Sequence, residues 1–394
     1  MGKIKIGNLF KSNIRQYGMI IALLVIVVLF QILTKGVLLY PQNVANLIMQ
    51  NGYVIILAIG MLLCILTGGN IDLSVGSVVA FTGAIAGSLI IGMKMDVWLG
   101  ILITIIVGFA IGAWQGFWIA YVKVPPFIAT LAGMLMFRGL TNAILKGLTL
   151  APFPDSYLRL TGGFIGDIFK VPGVNLNITC LATGILITIF YIVFAVRGRR
   201  NKRKYNFEVI SFPLFILQIL LVSGIIILFF YWLSRYKGMP RVLILIGILI
   251  VVYTFVTQNT VFGRYIYATG GNEMAARLSG IDPQKVMFFV YMNMGVLATI
   301  TGIVFSARLN AASPVAGTNF ELDAIGACFI GGASASGGVG TVIGVVVGAL
   351  VMGVLNNGMS ILGVGTEWQM VIKGMVLLVA VAFDVFSKSR SRTL

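Results

Sequence analysis

Long apolar runs return along almost the whole chain, beginning with MIIALLVIVVLFQIL at 19–33, and no other feature constrains the fold as strongly. A helix needs about 20 apolar residues to cross a hydrocarbon core. Candidate spans fall at 17–35, 44–67, 74–92, 97–122, 126–147, 177–196, 209–234, 240–258, 285–307, 320–332, 339–358 and 367–386. The run at 320–332 is too short for an ordinary crossing and ends in the glycine-rich FIGGASASGGVG. A half-helix continued by irregular backbone is expected there, which is tolerated only where protein or a cavity surrounds it. The expected fold class is all-α: a polytopic membrane protein of about 10–12 transmembrane helices, some of them broken. All of it lies in one transmembrane domain spanning 1–394.

Composition agrees, with 59% hydrophobic and only 10% charged residues. A soluble fold of this make-up could not cover its surface with polar groups, so lipid must act as the solvent. In a soluble chain the formal charge of +17 would suggest nucleic acid. Here the accumulation of Lys and Arg in cytoplasmic loops accounts for it, and no nucleic-acid partner is expected. With the N-terminus inside, 17 Lys/Arg fall on the cytoplasmic side and nine outside, with Arg138 and Lys373 inside spans. That places the N-terminus (1–16), the basic loop (197–208), the polar link (268–282) and the tail (387–394) in the cytoplasm.

The chain has no histidine, which excludes His-based metal sites, Ser-His-Asp triads and His proton relays. Cys64, Cys180 and Cys328 are widely spaced in apolar stretches and read as buried small hydrophobes. No metal site is expected.

Intramembrane carboxylates are costly, so each is a candidate for function. Asp72 lies in TGGNIDLSVGS with Asn70 and Ser74, where it can cap a helix or line a path. Glu321 and Asp323 lie in GTNFELDAIGACFIGG, again a polar start before a short apolar helix. The echo of NIDLSVG in NFELDAIG suggests a duplicated core, as does the ladder Gly108, Gly112, Gly116 against Gly344, Gly348. Small residues four apart let helix backbones approach closely. Asn356 and Asn357 are expected first as a helix cap before Gly358, with a polar lining as the other reading. Lys373 is expected to snorkel to an interface and Arg138 to pair inside the bundle. Pro125, Pro126 and Phe127 make a tight turn that serves either as an inner gate or as a plain hairpin.

One polar stretch, YATGGNEMAARLSGI at 267–281, interrupts two apolar runs. It reads as a short amphipathic helix opened by Gly270-Gly271 and closed by Gly280. On the residues alone it fits a docking helix or a helix lying on the membrane.

Five ordered segments, GGNIDLSVGS, PPFIATLAGMLMFRGL, FGRYIYATGGNEMAARLSGI, FELDAIGACFIGGASASGGVGT and GVLNNGMSILGV, together resemble the permease subunits of bacterial ABC-type sugar importers. The likeness covers most of 40–384 and points to the ribose, galactose, xylose and multiple-monosaccharide branch. IGGASASGG departs slightly from the family's IGGTSLSGG-like segment. The added stretch at about 197–240 looks like the xylose and multiple-monosaccharide type.

The resemblance implies a non-enzymatic transport subunit of the bacterial inner membrane, working as a homodimer. Its partners would be a cytoplasmic ABC ATPase and a periplasmic or lipid-anchored sugar-binding protein. The polar link would be the coupling helix, through Gly270, Gly271, Asn272, Glu273, Ala275, Ala276, Leu278, Ser279 and Gly280. The chain has no G-x-x-x-x-G-K-[ST] loop, so no cofactor is expected on it, and ATP and Mg belong to the ATPase. Asn70, Asp72, Ser74, Pro125, Pro126, Phe127, Glu321, Asp323, Asn356 and Asn357 are the candidates for a translocation path or gate. The rival reading is an ion-coupled secondary sugar transporter, whose signature is a membrane-buried carboxylate or cation site.

Overall fold

The apolar runs fold as helices whose starts are set by local chemistry. A computed structural model describes residues 14–392, apart from 170–172, 174 and 208. Most of the expected N-terminal segment 1–16 and the last residues of the tail 387–394 lie outside the described residues. The helices are α1 (Ile14–Leu33), α2 (Pro41–Leu66), α3 (Val75–Gly87, continued by a π turn at Ser88–Gly92), α4 (Val97–Ala120) and α5 (Pro126–Leu145). After these come α6 (Asp155–Thr161), α7 (Ile178–Lys204), α8 (Phe212–Ser234), α9 (Arg241–Asn259), α10 (Val261–Gly271) and α11 (Glu273–Leu278). The chain ends with α12 (Pro283–Leu309), α13 (Phe320–Ile330), α14 (Val342–Ile361) and α15 (Thr366–Arg392). Proline stands in the first turn of α2, α5, α8 and α12, where its missing N–H costs nothing. Asp96, Asn177, Asp282 and Thr341 cap α4, α7, α12 and α14 through their side chains.

Nine helices among the described residues are long and apolar enough to cross a membrane. The tenth expected element is α13, a half-helix of 11 residues followed by irregular backbone to Thr341, as its glycines suggested. Three local expectations are corrected. The basic run at 197–204 is the last part of α7, not a loop, because nothing in it breaks a helix. Gly270 and Gly271 end α10 instead of opening the next helix, and Asn272 caps α11. Asn356 and Asn357 lie within α14, which runs on to Ile361, so they do not cap it.

Two sets of four helices pack in the same pattern. In the first, α3 meets α4 and α5; in the second, α13 meets α14 and α15. Across the sets, α12 holds α3 and α4 while α2 holds α13 and α14. The matching contact pattern of the two sets is in line with the duplicated core that the sequence echoes suggested. α2 sits at the centre, with 78% of its apolar window buried, whereas α7 and α8 bury only 17% and 11% and lie at the periphery.

The glycine ladders serve this packing. A Cβ at Gly112 would lie 2.7 Å from the carbonyl oxygens of Tyr291 and Met292 on α12. A Cβ at Gly348 would lie 2.0 Å from the carbonyl oxygen of Ala327 on α13. In both cases backbone meets backbone, so no side chain can move aside. Gly112→Leu is expected to destabilise the protein by about 3 kcal/mol, the upper end of the usual cost of overpacking. Gly139→Leu, with nothing within 4 Å of its added Cβ, should leave the melting temperature of the purified protein near that of the wild type.

Candidate functional site

Both helix breaks lie in the same region of the bundle. After Leu66 the chain turns through Gly68 and Gly69, whose φ of +131° and +76° favour glycine. After Ile330 the second break passes through Gly332, Gly337 and Gly338, at φ of +79°, +81° and +70°. The two breaks touch. The Gly338 amide donates to the Leu66 carbonyl at 3.0 Å, and a Cβ on Gly69 would lie 2.0 Å from the Ala335 carbonyl oxygen.

Asp72 follows the first break and is 1% exposed. Its Oδ1 accepts from the amide of Ser74 at 2.8 Å and from its hydroxyl at 2.6 Å. Gln115 on α4 donates to the Ser74 hydroxyl at 2.6 Å. Asp72 therefore acts at the helix start, and through Ser74 it is also wired to α4. The hydroxyls of Ser77 and Tyr291 are buried without a partner among the described residues, which leaves polar atoms for water or a solute in the bundle interior.

In the second set Asp323, also 1% exposed, collects three elements. Lys373 Nζ on α15 lies 2.9 Å from its Oδ1 and 3.3 Å from its Oδ2. The Tyr53 hydroxyl on α2 donates to Oδ2 at 2.6 Å, and the Asn356 amide of α14 donates to it at 3.4 Å. The Tyr53 ring stacks on Phe320 with centroids 3.7 Å apart. Lys373 thus does not snorkel to an interface. Pairing a buried carboxylate wins over reaching the interface, because an unpaired charge there would be costly. Glu321 is half-buried and faces Gly76 of α3, where an added Cβ would lie 2.4 Å from its Oε2. Arg138 donates to the carbonyls of Pro314 at 3.1 Å and Ala316 at 2.7 Å, and so pairs inside the bundle as expected. Asn357 stands apart from Asn356 and exchanges hydrogen bonds with Asn43 at 2.8 and 3.2 Å.

The polar link lies near the breaks. Asn272 Oδ1 accepts from the Ala275 amide at 3.0 Å, and Glu273 pairs with Arg277 at 3.0 Å on the exposed side. Only Ala276 of this helix is buried; Gly271, Ala275, Ser279 and Gly280 are exposed, and Leu278 is 83% exposed. Gly270 belongs instead to the interior, since its Cβ would lie 1.6 Å from the Leu66 carbonyl oxygen. It is therefore removed from the candidate docking surface. The Tyr267 hydroxyl donates to the Gly340 carbonyl at 2.8 Å. Past the link, the Lys285 amide, and then its ammonium, hold the Asp282 carboxyl below the usual carboxylate range.

A cavity of about 330 Å³ joins Asn70, Pro125, Pro126, Glu273 and Arg277, residues far apart in the chain. Phe127 lies beside it in sequence and is 51% exposed. At the other end of the bundle a second cavity of about 590 Å³ is lined by Asn46, Gln50, Arg159, Arg241 and Arg308. Tyr53, Gln115, Tyr267 and Met274 did not stand out in the sequence. The first three are polar groups in apolar surroundings whose partners lie on distant elements. Met274 is 68% exposed beside Leu278, and exposure of this kind depends on how α11 seats on the bundle and not on local pattern.

A family model described as "Branched-chain amino acid transport system / permease component" matches residues 43–381. The chain is 40% identical over 384 residues to the xylose transport system permease protein XylH of Haemophilus influenzae, covering 96% of this chain and 98% of that one. It is 38% identical to XylH of Escherichia coli, covering 96% and 94% of the two chains. It is 35% identical to the ribose import permease protein RbsC of Escherichia coli, covering 95% of each. No solved structure matches the chain at a significant level.

Lys373→Met would leave Asp323 buried without its counter-charge, at an expected cost of about 3–5 kcal/mol. The double variant Asp323→Asn/Lys373→Met should recover most of this loss. Thermal unfolding of the three purified variants in one detergent gives the comparison.

Proposed function

The chain belongs to the family of permease subunits of bacterial ABC-type sugar importers, and on that premise we propose that it carries a monosaccharide of the xylose class inward, driven by a separate ATPase that grips α11. The observation that carries the coupling part is the form of α11. It is a short helix with exposed Met274 and Leu278, standing on a lever whose other parts are firmly seated. A small apolar tip flanked by the Glu273–Arg277 pair suits a groove on a soluble partner.

The lever has a physical route into the bundle. α10 reaches the glycine-rich break through Gly270 against Leu66 and through the Tyr267–Gly340 hydrogen bond. The break continues α13, which carries Glu321 and Asp323. A push on α11 by ATP binding would shift this segment and favour one of two states, outward-open or inward-open. Asn70, Pro125, Pro126 and Phe127 would form the inner gate beside the cavity that α11 also lines. Two permease copies would enclose the path. An external binding protein would deliver the sugar and supply most of the specificity, so the path need only be polar and weakly binding.

In this reading the α11 end of the bundle, the N-terminus and the C-terminus face the cytoplasm, in line with the distribution of Lys and Arg. An ion-coupled mechanism is less well supported. Asp323 is already neutralised by Lys373, and Asp72 holds Ser74.

Proteoliposomes holding the permease, its ATPase and its binding protein should accumulate labelled xylose with internal ATP and continue to do so with an uncoupler. Accumulation by this chain alone would overturn the proposal. Met274→Asp/Leu278→Asp should abolish ATPase association and uptake while leaving the melting temperature of the isolated permease unchanged. Tyr267→Phe should retain ATPase association and lower uptake roughly tenfold, as the loss of one transmitting hydrogen bond predicts.

A further inference from the structure

The peripheral hairpin of α7 and α8 is anchored at one end only. At the α6 end, the Asn177 amide donates to the Ser234 carbonyl at 2.9 Å, and Gly184 packs against Phe230. Toward the other end no described residue from 189 to 222 is buried. Phe190, Phe194, Leu217 and Leu221 are 63%, 67%, 51% and 59% exposed. Among the described residues of this chain no element covers this half, which leaves its apolar faces open to acyl chains.

That bare half ends in six cations. α7 has 27 residues, whereas about 20 suffice to cross the hydrocarbon core. The excess is a basic stretch with Arg197, Arg199, Arg200, Lys202, Arg203 and Lys204 in eight residues. Because the run is helical, the cations stay beside the bilayer surface instead of trailing into water. At 100° per residue, Arg197, Arg200 and Lys204 share one face. Arg199 points the other way, its guanidinium 4.5 Å from the Phe215 ring centroid and 5.7 Å from that of Phe212. This contact ties the basic collar to the first turn of α8. Among the described residues none of the six is ion-paired.

We propose that the basic end of α7 and the bare half of the α7–α8 hairpin form a binding site for an anionic phospholipid. The guanidinium groups of Arg197 and Arg200 take the phosphodiester, for which their planar forks are suited. The acyl chains lie along the exposed apolar faces of the two helices. This assignment rests on the hairpin alone and is independent of the sugar carried and of the ATPase.

The test uses the full-length purified protein in detergent with phosphatidylglycerol and phosphatidylcholine in competition, with retained lipid counted by native mass spectrometry. The wild type should retain phosphatidylglycerol in preference, by about fivefold for each engaged cation. The variant R197Q/R200Q should lower that preference roughly tenfold or more, and R197Q/R199Q/R200Q/K202Q/R203Q/K204Q should remove it. The double variant leaves four cations in place and serves if the sixfold variant does not insert. Equal retention of the two lipids by the wild type would overturn the proposal. So would an undiminished preference in the double variant, or displacement of phosphatidylglycerol by millimolar inorganic phosphate. Loss of an acidic protein partner in the double variant, with lipid preference unchanged, would assign the collar to that partner and also refute the lipid site.

Discussion

Within a bilayer every backbone N–H and C=O must find a partner inside the protein, and this requirement shapes the bundle more than any side-chain contact. The chain interrupts two helices, at 67–74 and at 331–341, and places the two interruptions against each other. Each covers the other's exposed peptide groups. The Gly338–Leu66 hydrogen bond and the approach of Gly69 to Ala335 are possible only because glycines leave room for them. Asp72 follows from the same constraint, since it sits at the helix start that the first interruption creates, whereas Asp323 lies in the first turn of the half-helix that the second interruption ends.

The two helix sets share a contact pattern and exchange partners across α2 and α12, and the interruptions meet between them. Equivalence of fold has not kept equivalence of chemistry. Asp72 is satisfied by Ser74 and linked to α4, whereas Asp323 is satisfied by Lys373, Tyr53 and Asn356 from three other helices. One half therefore holds a carboxylate satisfied by hydrogen bonds alone and the other an ion pair, within the same architecture.

Much of this was legible from local pattern. Apolar runs located the spans, prolines marked their starts, and glycine clusters marked the breaks, because each of these effects acts within a few residues. The half-helix at 320–330 was readable because its run is too short to cross and glycines follow it. Pairings between distant residues were not readable. Lys373 lies 50 residues from Asp323, and nothing near it in sequence announces that partner. Asn356 and Asn357 looked like a cap because Gly358 follows, yet Gly358 packs on Phe30 of α1 and the helix continues past it. Gly270 looked like part of a surface helix and is instead a point of backbone contact, a role that depends on where Leu66 ends up.

The glycine-lined seam between the two interruptions has a mechanical meaning. Across it run few side chains and one short amide-to-carbonyl link, Gly338 to Leu66. Surfaces joined so sparsely slide more readily than interlocked ones, much as two smooth plates shear where two gears would jam. Little interlocking would have to be undone for one interruption to move along the other.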